Sequence, residues 1–488
     1  MPAKLQKFLL LLLTFHCLHG FGQNSVQLVV NQVAKSQDMV GASFSFCAID
    51  LATGSEIGAN NSNISIPTAS TAKLFSTATA LEVLGADFRP ETRIYLEGSL
   101  SKDGKLDGNI WIRGGGDMTL GSRFFNENGH ERDFLTAWVD TLKKMGVKSI
   151  SGSIIADGSE FGYGGIPDGW SWNDMGNYYG AGPSGICVFD NAIRFSFKTG
   201  AAGSATEIIS MSPTVPGMTF HNYVKSAAID DDQSYIFGGP YSMDRFASGS
   251  LPSGRAAFEV KGSVPDPEIQ LAYELATALE SSGIKISKGY KGVRRDDLIQ
   301  TAKYGSGFSL AFTHKGQRVK EIATLTNMKS INLFAEGLLC LVGYKLSGKG
   351  STEEGLKQLE KYWSTKISFT GLFLKDGSGL SRTNGISATH FCTLLKAMYS
   401  SKNYSLFVST LPVAGKSGTL TGLCNGQAGE GRIIAKSGTM SRIKSYSGYV
   451  NSKSGKKIVF AITINNYNGS SSQATAKIEQ ILNALAVY

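Results

Sequence analysis

Cysteine is scarce in this chain, and no two cysteines stand close together. There are six in 488 residues and none forms a CxxC pair. A thiolate zinc site or a dithiol redox centre therefore has no support. Histidine is equally sparse. His130, His221, His314 and His390 are scattered through the body of the chain, which also lacks HExxH, GxSxG and Walker patterns. Nothing marks a zinc peptidase, an elbow-type serine hydrolase or a nucleotide site. Basic residues outnumber acidic ones, 48 to 39, but they form no block with interleaved aromatics. Nucleic acid is not expected as a partner. Past the N-terminus, no apolar run approaches the roughly 20 residues that a membrane-spanning helix needs.

The N-terminus has the pattern of an export signal. Lys4 and Lys7 precede the apolar run from Phe8 to Leu18, and Gly20 and Gly22 lie ahead of a cut before Gln23. That run is too short for a stable transmembrane anchor. Residues 1–22 are expected to be removed, leaving a protein that works in the periplasm or elsewhere outside the cytoplasm. The mature chain keeps Cys47, Cys187, Cys340, Cys392 and Cys424. An odd number leaves at least one thiol unpaired. Cys47, Cys340 and Cys392 sit in apolar runs, as buried small hydrophobes do.

A chain of 488 residues exceeds the about 250–300 that one hydrophobic core serves, so two or three domains are expected. Asn24 to Lys35 reads as helix and Gly41 to Asp50 alternates like a strand. A helix begins at Ser70, carries Leu74, Ala78, Leu81 and Leu84 at helical spacing, and closes at Gly85. From about residue 92 to 300 the texture is short strands split by Gly, Asp and Asn turns, among them Arg93–Leu96, Gly108–Arg113, Ser149–Ala156 and Ala192–Phe197. Helices return with Lys329–Leu346, Ser351–Trp363 and Ser387–Tyr399. Strands follow at Gly431–Ala435, Lys444–Val450 and Lys456–Asn465, then a C-terminal helix, Ser472–Val487. Strands in direct succession among helices suggest an α+β core with an antiparallel sheet. This core, residues 23–90 and 301–488, is expected to be discontinuous, split by a β-rich insertion of residues 91–300 that forms two domains.

Three polar clusters carry the chemistry. In Pro67-Thr-Ala-Ser70-Thr-Ala-Lys73-Leu74, Ser70 and Lys73 share a helix face, about 5–6 Å apart at Cβ. A serine hydroxyl needs an adjacent base, and a desolvated lysine can supply one at neutral pH. Alone this spacing is weak, because a capped helix with a surface lysine reads the same way. The second cluster is Ser330-Ile331-Asn332, where a hydroxyl and an amide two residues apart can both face a cleft. The third is Lys436-Ser437-Gly438-Thr439 on the strand from Gly431. That strand offers a cation for a carboxylate, two hydroxyls, and a glycine where a substrate backbone must approach. Lys416-Ser417-Gly418-Thr419 has the same letters but lies in a Gly-rich loop, so Lys436 is preferred.

The order SxxK, SxN, K-S-G resembles the signature of penicillin-binding proteins and serine β-lactamases. The chain is most similar to the class C low-molecular-mass penicillin-binding proteins, the D-alanyl-D-alanine carboxypeptidase/endopeptidase family. The similarity extends to Ile112–Leu120 (IRGGGDMTL), Gly169–Asp174 (GWSWND), Asp376–Arg382 (DGSGLSR) and Leu411–Gly415 (LPVAG). Ser330 lies 260 residues beyond Ser70, several times the gap of a β-lactamase. That family carries inserted domains there.

The resemblance implies a penicillin-binding-protein/serine β-lactamase-like α+β fold. It implies a serine D,D-peptidase acting on peptidoglycan stem peptides, inhibited covalently by β-lactam antibiotics, with no metal or organic cofactor. Ser70 would be the acylated nucleophile, Lys73 its base, and Ser330 with Asn332 the second catalytic element. Lys436, Ser437 and Thr439 would bind the substrate carboxylate, Gly438 would belong to the same substrate-binding strand, and the N–H groups of Ser70 and Thr439 would form the oxyanion hole. Asp174 matches an acidic residue that would meet a diaminopimelate amine, although an aspartate there also suits a turn. Ser437 stands where the family commonly has Thr, and Ile331 where it has Asp. A β-lactamase, or a catalytically silent peptidoglycan-binding protein of the same fold, are the rival readings.

Overall fold

The computed structural model describes residues 24–126, 129–162, 164–294 and 304–488. The expected signal, residues 1–22, lies outside the described residues.

Strand Lys457–Asn465 (KIVFAITIN) organises the first unit: all but its first residue are buried. A strand apolar on both sides needs cover on both faces. It is central in a five-stranded antiparallel sheet whose order is Ile433–Met440, Ile443–Asn451, Lys457–Asn465, Ser43–Asp50 and Glu56–Asn60. Side chains alternate, so Ile458, Phe460, Ile462 and Ile464 pack with Phe46 and Ala48 against the terminal helices Asn24–Ala34 and Ser471–Val487. Val459 and Ala461 point the other way with Cys47, toward helices Lys73–Val83, Asn332–Ser347 and Ala388–Tyr399. The expected α+β architecture is present. Cys47, Cys187, Cys340, Cys392 and Cys424 are all buried and unpaired.

Helix Lys73–Val83 has no solvent face over its first nine residues, which are all buried. A helix enclosed all round forces its polar residues to find partners inside the protein. That is the local reason Lys73 is sealed from water.

Residues 91 onward leave this unit. Strands Glu91–Leu100 and Lys105–Gly114 pair with each other and belong to a seven-stranded mixed sheet. A smaller element nests within that excursion. Strands Phe258–Ser263, Ala192–Lys198 and Glu207–Ser212 form one sheet, and a four-stranded sheet shares their core through Ile193, Phe195, Phe197, Ile236, Ala247 and Leu251.

Three features depart from the sequence reading. Strands and turns are expected over residues 92–300, yet helices Asp133–Lys144 and Pro267–Ser281 cover the seven-stranded sheet. Both have legible signals: Leu135, Trp138, Val139 and Leu142 recur at helical spacing, and Asp266 caps Pro267–Ser281 by accepting from Ile269 N at 2.9 Å. Strand Phe308–Lys315 pairs with Glu91–Leu100, so the sheet reaches past residue 300 and the chain re-enters the first unit at Val319. The expected helix Lys329–Leu346 is present as Asn332–Ser347, starting three residues later, and a further helix, Val319–Lys329, precedes it and ends at Ser330.

Among the described residues, no helix is long and apolar enough to cross a membrane. The C-terminal helix provides the stability test. Leu482 is fully buried, so Leu482→Ala should cost about 2–5 kcal/mol and lower the thermal unfolding transition. Val487→Ala, at an exposed position of the same helix, should stay within about 0.5 kcal/mol of wild type.

Candidate active site

Ser70 sits on a tight 3-10 turn, Ala69–Ala72, that leads into the α-helix at Lys73. The sequence suggests an ordinary first helical turn. Ala69 instead has φ +48°, a left-handed conformation that a side chain tolerates only when its surroundings enforce it. The enforcement is visible. Thr71 Oγ1 donates to Thr68 O at 2.8 Å, and Ser445 Oγ donates to the same carbonyl at 2.5 Å. The Ala69 carbonyl also lies far inside contact distance of where a Cβ on Gly379 would stand. Only glycine fits at 379.

Lys73 is completely buried. Its Nζ is 2.8 Å from Ser70 Oγ, 2.6 Å from Asn332 Oδ1 and 2.7 Å from Ser378 O. Burial pulls its pKa down to about 7, against the opposing pull of Asp376 and Glu336. The donor count then decides the geometry. A carbonyl and an amide oxygen only accept. A neutral amine has two N–H bonds, and Ser378 O and Asn332 Oδ1 use both. Its lone pair is left facing Ser70, whose O–H becomes the donor. The arrangement aims a neutral base at the serine proton.

Asn332 is held in this role from its other end, where Nδ2 donates to Tyr179 O at 2.8 Å. Ser330 occupies the break between two helices, with φ 60° and ψ 38°. This left-handed corner turns its hydroxyl toward Lys436, whose Nζ donates to Ser330 Oγ at 2.9 Å and to Ser437 O at 2.7 Å. Lys436 is fully buried, and among the described residues it makes no ion pair. Burial, and then the nearby Lys73, push its pKa well below the usual lysine range.

Gly438 has a use that its sequence does not announce. A Cβ there would stand 2.5 Å from Thr68 O and 2.9 Å from Ser70 N. The close approach is to the protein's own Ser70 turn, and it brings the edge strand beside the nucleophile's N–H. Ser437 Oγ donates to Thr419 Oγ1 at 2.7 Å. The second KSGT motif, at 416–419, therefore borders the site, although Lys416 itself pairs with Glu430.

An open cleft of about 570 Å³ lies in front of these groups, lined by Ser70, Asp174, Ser330, Asn332, Arg382 and Thr439 among others. Asp174 stands on its wall, half-buried. Desolvation raises its pKa, while Arg382 and a hydrogen bond from Tyr179 oppose the rise. The structure thus brings all nine sequence-derived residues to one place.

It also brings in two carboxylates to which the sequence assigns no role, Glu336 and Asp376, the latter the first residue of the DGSGLSR stretch. Glu336, the only charged side chain in the buried stretch of its helix, accepts from Gly377 N and Ser378 N at 2.7–3.0 Å. Burial and neighbouring Asp376 push its pKa up to about 8. Asp376 accepts from Gly379 N, Ser381 N, Asn384 Nδ2 and Trp170 Nε1 at 2.6–2.9 Å. Together these carboxylates fold the loop that delivers the Ser378 carbonyl to Lys73.

Known proteins resemble this chain over most of its length. A D-alanyl-D-alanine carboxypeptidase from Actinomadura sp. (strain R39) is 28% identical over 454 residues, which is 90% of this chain and 81% of that protein. The carboxypeptidase DacB of Haemophilus influenzae is 23% identical, covering 90% and 88%. The crystal structure of penicillin binding protein 4 (dacB) from Haemophilus influenzae superposes with a TM-score of 0.79 at 22% identity, over 94% of this chain and 99% of that one. A predatory endopeptidase from Bdellovibrio bacteriovorus shares the fold at a TM-score of 0.51 and 15% identity, over 91% and 93%. Residues 26–486 match the family description throughout, and the chain belongs to the D-Ala-D-Ala carboxypeptidase 3 (S13) family.

Proposed function

We propose that this serine-type peptidase is exported and hydrolyses D-Ala-D-Ala bonds, or D-Ala–diamino-acid cross-links, of peptidoglycan stems through an acyl-enzyme on Ser70. The observation that carries the reading is the 2.8 Å contact between Ser70 Oγ and the buried Lys73 amine, whose other two contacts accept only.

The reaction follows from that contact. Neutral Lys73 takes the Ser70 proton as Oγ attacks the penultimate D-Ala carbonyl. The oxyanion settles between the backbone N–H groups of Ser70 and Thr439, whose strand Gly438 allows to lie against the Ser70 turn. The terminal carboxylate is held by Lys436, Ser437 and Thr439. The departing amine receives its proton through Lys73 and Ser330, and water then hydrolyses the ester. Asp174 and Arg382 present opposite charges in the cleft, a pattern that fits the amine and carboxylate of a diamino-acid side chain. A β-lactam offers the same carbonyl and carboxylate, and penicillin binding protein 4 of Haemophilus influenzae has been solved with one. Such a compound would remain bound as an ester on Ser70.

The decisive experiment combines a fluorescent penicillin with purified monomeric and dimeric muropeptides. Wild type should retain the label and cut at least one substrate class. Ser70→Ala should take no label and lose hydrolysis by about 10⁴-fold or more. A label that turns over quickly would favour a β-lactamase, and an unlabelled wild type would favour a silent binder.

The pH profile tests the base. Lys73 must be neutral to accept a proton, so kcat/KM should rise with pH through an apparent pKa of about 7. Lys73→Arg keeps the charge but cannot deprotonate, and should lose about 10³-fold or more. An arginine variant with near wild-type activity would mean that Lys73 acts only through charge. Asp174→Asn should raise KM for stems with a free diamino-acid amine and leave acylation by penicillin unchanged.

A further inference from the structure

The solvent face of a sheet, antiparallel or mixed, is ordinarily polar. In the nested four-stranded sheet it is not. His221 on strand Thr219–Asn222 stands opposite Phe246 on strand Asp244–Pro252, and Phe246 stands opposite Phe237 on strand Gln233–Phe237. Their neighbours Ile236 and Ala247 point inward to the core, so the three rings share the outer face. The row is continuous. Phe237 and Phe246 stack with centroids 4.8 Å apart, Tyr223 meets Phe246 at 6.3 Å, and Trp172 meets Phe237 at 6.2 Å. Several members are open to solvent: Tyr223 is 63% exposed, Trp172 52% and Tyr235 44%. Such a patch marks a contact surface more often than chance.

Its placement indicates the partner. Tyr235 lines the active-site cleft, as do Ser171, Asn173 and Asp174 on either side of Trp172. The row therefore runs from the outer sheet to the lip of the cleft. The other positions on this face are mostly neutral and polar, with Gln233, Ser248 and Thr219 among them, and His221 is paired to Asp244 at 3.1 Å. Rings carry a negative face that attracts the C–H bonds on the flat side of a pyranose, and hydroxyl and amide neighbours suit its equatorial hydroxyls. Peptidoglycan stems hang from a glycan, so a polymer must lie near any cleft that cuts them.

We propose that the Tyr223–Phe246–Phe237–Trp172 row is a docking track for the glycan strand, feeding attached stems into the cleft. The proposal rests on the peptidoglycan reading above. It adds an interaction surface some distance from the reacting groups.

The test uses the full mature chain and three probes: glycan strands freed of stems by amidase treatment, intact insoluble peptidoglycan, and a soluble stem pentapeptide without sugar. The variants are Tyr223→Ala and the double variant Tyr223→Ala/Phe246→Thr, each checked for an unchanged melting transition. The double variant should bind stem-free glycan about tenfold more weakly and release D-Ala from intact peptidoglycan correspondingly more slowly. Hydrolysis of the soluble pentapeptide should not change. Three results would overturn the track: a wild type that does not bind stem-free glycan, variants that bind it equally well, or a parallel loss on the sugar-free peptide. A wild-type dimer that the substitutions dissociate would also overturn it by assigning the face to a second copy. Failure of the peptidase reading gives a different result, because wild type would then take no penicillin label and leave both the pentapeptide and cross-linked dimeric muropeptides uncut whatever it does with glycan.

Discussion

A lysine amine sealed from water among oxygen partners is the constraint around which the rest of the cleft is built. Taking an ammonium out of water costs several kcal/mol even after relaxation, and a protein commonly meets that cost by letting the group lose its proton. Here the loss is useful. The pKa of Lys73 is lowered to about 7, so the amine can accept a proton and return it within the physiological range. The two remaining N–H bonds must still be satisfied, and distant segments of the chain supply the acceptors, Asn332 Oδ1 and Ser378 O. Each acceptor is fixed in turn. Tyr179 O anchors the far side of the Asn332 amide, and Glu336 and Asp376 gather the N–H groups of the loop around Ser378. The cleft's shape is the solution of a buried hydrogen-bond problem.

The two carboxylates act in opposite senses on that solution. By folding the loop they make burial of Lys73 possible, which lowers its pKa. By their charge they raise it. Burial is the larger effect. Glu336 is itself pushed up to about 8 by burial and by Asp376, against the N–H groups of Gly377 and Ser378 from which it accepts.

Much of this is legible in the sequence alone. The helix behind Ser70, the strand bearing Lys436 and the capped helices at Ser351 and Ser387 follow local rules of periodicity and capping that tertiary contacts reinforce. What escapes depends on contacts distant in sequence. Ser330 closes the helix Val319–Lys329 in a left-handed turn and accepts from Lys436, 106 residues away, a partner that no local pattern names. Ser378 contributes a backbone carbonyl, which no side-chain pattern can announce. Gly438 reads as a close approach and is one, but its partner is the Ser70 turn. The helices at Asp133–Lys144 and Pro267–Ser281 are obscured for another reason. Their own signals are sound, and frequent glycine turns on either side outweigh them.

Lys436 extends the same logic to binding. It too is buried, without an ion-pair partner among the described residues, and its cation is disfavoured by burial and by the neighbouring Lys73. In the proposed reaction a substrate carboxylate arrives beside it and supplies the missing counter-charge, so the cation becomes favourable when ligand binds. A neutral chain end brings no counter-charge, and it must also displace Lys436 from Ser330 Oγ and Ser437 O without an ionic interaction in return. In the proposed reaction, two desolvated amines within one cleft, one to take a proton and one to gain it with the substrate, would account for both a nucleophile at neutral pH and a preference for a carboxylate terminus.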